Sequence, residues 1–238
     1  MSELPTLPIP GFADPFSSLS HLIAAGIVLV SGVIFLARNR RGIARTAGVS
    51  VFVFGAVFLL SMSGVFHLLP PETAGRAALQ RLDHAAIFVL IAATFTPVHL
   101  LLFRGVARWG MLVLVWAAAI TGLTLKTIFF AQMPETLGLS LYLALGWLGA
   151  VSAYLLYRRC GPRPLAPVAI GALAYTVGAV MDFTGYPVLV PGVIGAHEVF
   201  HVLVLVGIAA HWRFIQNIAR QGTAPVRMAL MPAAAFQH

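Results

Sequence analysis

Seven stretches of this chain are almost wholly apolar, and each is near the roughly 20 residues a helix needs to cross a bilayer. They cover residues 19–37, 47–69, 84–103, 110–130, 139–157, 167–183 and 195–214. Polar or helix-breaking residues separate them, among them Pro70 and Pro71, Pro134, Pro162 and Pro164, and Pro187 and Pro191. A helix satisfies its own backbone hydrogen bonds in lipid, so the pattern predicts an all-α bundle of seven transmembrane helices. Pro97 falls inside the third span and is expected to kink it. No second domain or internal repeat is visible. Residues 1–18 read as an N-terminal segment, 19–214 as the membrane domain and 215–238 as a loose C-terminal tail.

Composition agrees with this reading. Of 238 residues, 60% are hydrophobic and 9% charged, too few charges to cover a soluble domain of this size. The start of the chain lacks the cationic region of a secretory signal peptide. The single cysteine, Cys160, excludes an internal disulfide and a cysteine metal cluster, and reads as an ordinary loop thiol. No basic stretch is interleaved with aromatics, so nucleic acid is not an expected partner.

Charge placement adds a topology. Arg38, Arg40, Arg41 and Arg45 separate spans one and two, and Arg104 and Arg108 separate three and four. Arg158, Arg159 and Arg163 separate five and six, and Arg213, Arg220 and Arg227 close the chain. Only Arg76, Arg81 and Lys126 fall on the opposite side, together with all seven acidic residues. The positive-inside rule then places the C-terminus in the cytoplasm and the N-terminus outside. The net charge of +8 is therefore mostly a topology signal. A short-looped chain of this kind suits a bacterial inner membrane.

The ionisable residues near the membrane gather at one level. Ser63 and His67 close the second span, Asp83 and His84 open the third, and His197 and His201 open the seventh. Parity alone puts those three ends on one face. Ser63 and His67 are four apart, as are His197 and His201, so each pair shares a helix face. Two imidazoles one turn apart can bind one metal ion, and His67 would complete a three-histidine site. Zinc with three protein ligands keeps a position for water, the catalytic arrangement. Asp83 could orient that water or take its proton, and Ser63 could bond a ligand histidine or a substrate oxygen.

Taken singly, each residue has a plainer reading. A histidine near a span end packs at the interface, Asp83 caps the third helix, and Ser63 bonds back to its own backbone. Their conjunction at one depth favours a site. His84 lies about 100° around the helix from Asp83 and reads as supporting or packing. His21, His99 and His211 read as interfacial, and Glu198 as a solvated interfacial carboxylate.

The sequences Ser-Met-Ser-Gly-Val-Phe-His at 61–67 and Leu-Asp-His-Ala-Ala-Ile-Phe-Val-Leu-Ile-Ala-Ala-Thr-Phe-Thr-Pro at 82–97 carry a family resemblance. So do Leu-Tyr-Leu-Ala-Leu-Gly-Trp at 141–147 and His-Glu-Val-Phe-His-Val-Leu-Val at 197–204. Over about residues 14–214 the chain resembles the hemolysin III family, within the larger group of progestin and adiponectin receptors and alkaline ceramidases. The resemblance implies a seven-helix bundle with zinc on His67, His197 and His201, a zinc-bound water held by Asp83, and Ser63 in the same cluster. It also implies membrane lipids as partners, and metal-dependent hydrolysis of a lipid amide as an activity, in the setting of membrane lipid homeostasis. The receptor relatives imply an N-terminus in the cytoplasm, the reverse of the charge count; the site lies on the N-terminal side either way.

Three other readings compete. His197-Glu198-Val199-Phe200-His201 matches the H-E-x-x-H pattern of zinc proteases, with Glu198 as base. His84 with His99, and His197 with His211, could ligate two haems at two depths. Alternatively, zinc is structural and ties the helices of a non-enzymatic receptor, lipid sensor or pore.

Overall fold

A computed structural model describes residues 12–39 and 42–221. Eight helices follow one another: α1 (Pro15–Arg38), α2 (Ile43–Leu68), α3 (Ala74–Leu102), α4 (Val106–Ile128), α5 (Glu135–Trp147), α6 (Gly149–Cys160), α7 (Ala166–Thr184) and α8 (Ala196–Gln221). A 3₁₀ turn, Arg163–Leu165, leads into α7. The α5–α6 pair, joined at Leu148, forms one span, so the described residues contain seven helical segments long and apolar enough to cross a membrane.

The apolar sequence is used on both sides of the bundle. The inner side holds Val49, Phe52, Ala56, Leu60, Ile215 and Ala219, all without solvent access. Trp212 of α8 stacks on Phe52 with ring centroids 5.7 Å apart. The outer side exposes Ile23, Ile27 and Val30 of α1 and Val113 and Ile120 of α4. In water such a surface would be untenable; against hydrocarbon it costs nothing.

Close approach of α2 to α3 depends on small residues, as is usual between membrane helices. A Cβ at Gly48 would stand 2.9 Å from Pro97 Cα, and one at Gly55 would stand 2.5 Å from Ala93 Cβ. The rest of the bundle closes by neighbours: α1 packs on α2 and α8, α8 on α7, α7 on α5, and α5 on α3 and α4.

Two helix boundaries differ from the hydropathy pattern by more than four residues. Helix α3 begins at Ala74, where the Thr73 side chain accepts the Arg76 N–H at 3.2 Å, and not at residue 84. Its first turns carry Arg76, Gln80 and Arg81, too polar for an apolar window although fully helical. Asp83 therefore sits more than two turns inside α3 and caps nothing. Helix α8 continues to Gln221, because Phe214, Ile215, Ile218 and Ala219 extend its buried stripe beyond residue 214. The part of the expected tail at 222–238, and residues 1–11 of the N-terminal segment, lie outside the described residues. Helix α3 runs without interruption through Pro97.

Candidate metal centre

His67 occupies the last turn of α2, His197 the first turn of α8, and His201 the next turn of α8. One ligand atom from each lies within 4.8 Å of the others. His67 Nε2 and His197 Nε2 are 3.1 Å apart. On its far side each ring meets a carboxylate. His67 Nδ1–H donates to Asp14 Oδ2 at 3.0 Å, and His197 Nδ1–H donates to Asp182 Oδ1 at 2.9 Å. Arg76 donates to the same Asp14 oxygen at 2.8 Å, which balances the carboxylate's charge.

These partners set the chemistry of the rings. With both Nδ1 hydrogens directed at carboxylates, the two Nε2 atoms face each other, and either a proton shared between them or a metal cation satisfies both. Two nitrogens at 2.0–2.1 Å from one tetrahedral zinc would be about 3.4 Å apart, close to the separation found. Carboxylate–histidine pairs of this kind orient metal-ligating imidazoles. The three histidines fit a metal ion. His201 is 2% exposed and His67 4%, whereas the His197 and Asp182 side chains are more than a third exposed, so the cluster opens on that side.

Ser63 lies one turn before His67 on the same face of α2 and is buried. Its hydroxyl interacts with the carboxylate of Asp83, which also feels the charges of His197 and Asp182. Asp83 thus approaches the histidines from α3, with 17% of its side chain exposed. His84 does not join the site. Its Nδ1–H donates to Gln80 O at 2.8 Å, and its own carbonyl accepts from Tyr142 OH at 3.2 Å.

Several residues occupy places other than those expected. Glu198 is buried: Oε2 accepts the Gly195 N–H at 2.8 Å and Oε1 accepts the Ser17 hydroxyl at 3.1 Å. This is half of a capping box at the start of α8, so both carboxylate oxygens are engaged in closing the helix end and tying it to α1. His21, His99 and His211 are also buried, not interfacial. His99 donates or accepts at both nitrogens, with Ala107 O and Ser152 Oγ each 2.9 Å away, and His211 bonds Gly207 O at 2.9 Å. With both nitrogens engaged, the His99 ring is not available to a haem, whereas His211 spends only Nδ1. Cys160 ends α6, with its thiol on Leu156 O.

Sequence reasoning gave no role to Asp14, Asp182 or the first helix. The signal was present. Asp14, Ser17, Ser18 and His21 are spaced 0, 3, 4 and 7, one line along a helix whose other residues are largely apolar. For Asp182, no local pattern points to His197, because the pairing depends on how α7 meets α8.

The fold and the cluster define a seven-helix integral membrane protein with three histidines grouped near one face. Residues 12–212 match the model of the family described as haemolysin-III related, and the chain belongs to that family. It is 30% identical over 166 residues to Hemolysin-3 of Bacillus cereus, covering 69% of this chain and 75% of that protein. It is 33% identical over 134 residues to a Hemolysin-3 homolog of Bacillus subtilis, covering 56% and 62%. Similarity extends to the heptahelical transmembrane protein ADIPOR1 of rice, Oryza sativa subsp. japonica, at 29% over 180 residues. That match takes in 68% of this chain but 47% of the rice protein, so the chain corresponds to about half of that relative.

Proposed function

We propose that the protein is a zinc-dependent hydrolase of lipid amides, acting at the non-cytoplasmic face of a bacterial plasma membrane in membrane lipid homeostasis. The observation that carries this reading is the pair of Nε2 atoms 3.1 Å apart, each ring held from behind by a carboxylate, with a third imidazole beside them. His67, His197 and His201 would hold the ion. When bound, zinc supplies a Lewis acid that polarises a carbonyl and brings the pKa of water near 7. Asp83 accepts the water's proton at its carboxylate and returns it to the leaving amine nitrogen. Ser63 donates to Asp83 and aims it. Asp14 and Asp182 keep the ligand rings in the Nδ1–H form. His197 stands in the first turn of α8, so the opening beside it would lie near the headgroup level, where a lipid amide is reachable.

The test begins with elemental analysis of detergent-purified protein beside His67→Ala and His197→Ala. About one zinc per chain, lost in both variants, is expected from a three-ligand site. A panel of lipid amides is then offered to wild type and Asp83→Ala. Turnover should fall by about 10²–10⁴-fold in the variant while zinc stays bound. Zinc without cleavage of any lipid amide would leave a second reading, a receptor, lipid sensor or pore with structural zinc. One feature favours that alternative: the cluster and its carboxylates already join α1, α2, α7 and α8, as a structural crosslink would.

A further inference from the structure

Helix α1 is the least enclosed part of the site, yet it is tied there by four polar residues on one line. Asp14 holds the His67 ring, Ser17 donates to Glu198, and Ser18 donates to Gly64 O at 2.8 Å. The fourth residue, His21, breaks the pattern. It is 2% exposed, and neither of its ring nitrogens makes a close hydrogen bond among the described residues; its looser backbone contact is with the His201 carbonyl. Instead its ring lies flat on His201, with centroids 4.0 Å apart and planes 13° from parallel.

His201 is itself the exception among the three clustered histidines. His67 and His197 each place Nδ1 on a carboxylate, while His201 Nδ1 is buried without a close hydrogen bond and has only the Ser17 main-chain carbonyl as a looser neighbour. A ring without a close hydrogen bond behind it can rotate about its side-chain torsions, and its lone pair then sweeps off target. A ring stacked face to face cannot do so without losing the stack. His21 is not a fourth ligand. Nearly parallel rings 4.0 Å apart aim their in-plane lone pairs past one another, and no His21 atom belongs to the 4.8 Å group.

We propose that His21 is the positioning residue of His201: the face of its ring, rather than a hydrogen bond, fixes the plane of the third ligand. This rests on the metal reading of the site. It assigns α1 a purpose in the site, since the helix supplies one orienting contact to α2 through Asp14 and one to α8 through His21. Ser17 and Ser18 set the register in which both contacts meet, because each bonds a different neighbouring helix.

The test is zinc affinity, measured by chelator competition on the full-length protein in detergent. The variants are His21→Phe, which keeps a ring face and has no nitrogens, and His21→Gln, which keeps polar atoms and has no ring. His21→Gln should bind zinc about 10–100-fold more weakly, the range found when orienting partners of ligands are removed. His21→Phe should stay close to wild type. With cobalt(II) in place of zinc, the visible bands of His21→Phe should match wild type and those of His21→Gln should shift. Equal affinity in wild type and His21→Gln would overturn the proposal, as would a Phe variant weaker than the Gln variant. If His21→Gln does not fold, His21→Leu supplies the same comparison with the volume filled. Wild type that binds no zinc overturns the metal reading itself. Wild type that binds zinc, with affinity indifferent to His21, overturns this proposal alone.

Discussion

The two ends of the bundle both bury histidines, and they bury them differently. At the end where α2 closes and α8 opens, His67, His197 and His201 turn ring nitrogens toward one another, with carboxylates or another ring behind them. Toward the opposite end, His99 spends both nitrogens on Ala107 O and Ser152 Oγ, and His211 spends one on the carbonyl a turn behind it. His67 and His201 at one end are as buried as His99 and His211 at the other. What separates a binding site from a structural tie is where the nitrogens point. A ring whose nitrogens are taken up by neutral protein groups locks helices together. Where ring nitrogens converge on each other, no neutral protein group takes them up, and a shared proton or a metal ion satisfies them.

The strongest way to break this contrast is to remove one ring from each end. His67→Ala or His197→Ala should abolish stoichiometric zinc, and His99→Leu should leave it unchanged by elemental analysis. If His99→Leu also lost the metal, the two ends would not be independent. Next in size come the carboxylates. Asp14→Asn and Asp182→Asn should each weaken zinc binding by about 10–100-fold in a chelator competition, because an amide no longer holds the Nδ1 hydrogen as firmly. Asp14→Asn should also destabilise the protein, since Arg76 loses a charged partner where the start of α1 meets α3. Affinity unchanged in both variants would mean that the carboxylates merely sit beside the rings.

A smaller effect is expected at the other end, and it should be of a different kind. His99→Leu removes the partner of Ser152 and of Ala107 O inside the bundle. Each buried group left unpaired costs about 1–3 kcal/mol. Thermal unfolding should register that loss with zinc content intact. No loss of stability would show that these bonds are replaced by water or by local shifts, and that His99 is not a tie.

The sequence made some of this arrangement legible and hid the rest for physical reasons. The seven spans follow from apolar runs because lipid imposes the same condition on all of them. His67, His197 and His201 could be found because span parity fixes which ends meet, and i, i+4 spacing fixes which side chains share a face. Both are one-dimensional facts. The depth of Asp83 was misjudged because hydropathy marks where the membrane begins, while α3 starts ten residues earlier under the Thr73 cap. His99 and His211 were placed at the interface because their partners, Ser152 and main-chain carbonyls, are brought to them only by packing or by the helix itself. Asp182 was missed for the same reason. His21 was missed differently: its line with Asp14, Ser17 and Ser18 was readable, but all three of these fell in a segment taken to precede the membrane domain.

The smallest expected effect tests Glu198, where sequence pattern and structure disagree most. The H-E-x-x-H motif makes this carboxylate the base of a protease, and its loss would then remove all activity. Its geometry makes it a helix cap, with one oxygen on Gly195 N–H and the other on the Ser17 hydroxyl. Glutamine keeps an acceptor for Gly195 N–H, and its amide can donate to Ser17 Oγ in place of accepting from it. What Glu198→Gln forfeits is the negative charge at the start of α8, worth about 0.3–1 kcal/mol against the helix dipole. The variant should therefore retain zinc, retain whatever hydrolysis the wild type shows, and unfold only a few degrees lower, given about 2–4 °C per kcal/mol for a chain of this size. Glu198→Ala should lose more stability, because both donors are then stranded. Complete loss of hydrolysis in folded, zinc-replete Glu198→Gln would restore the protease motif and displace Asp83 as the proton acceptor.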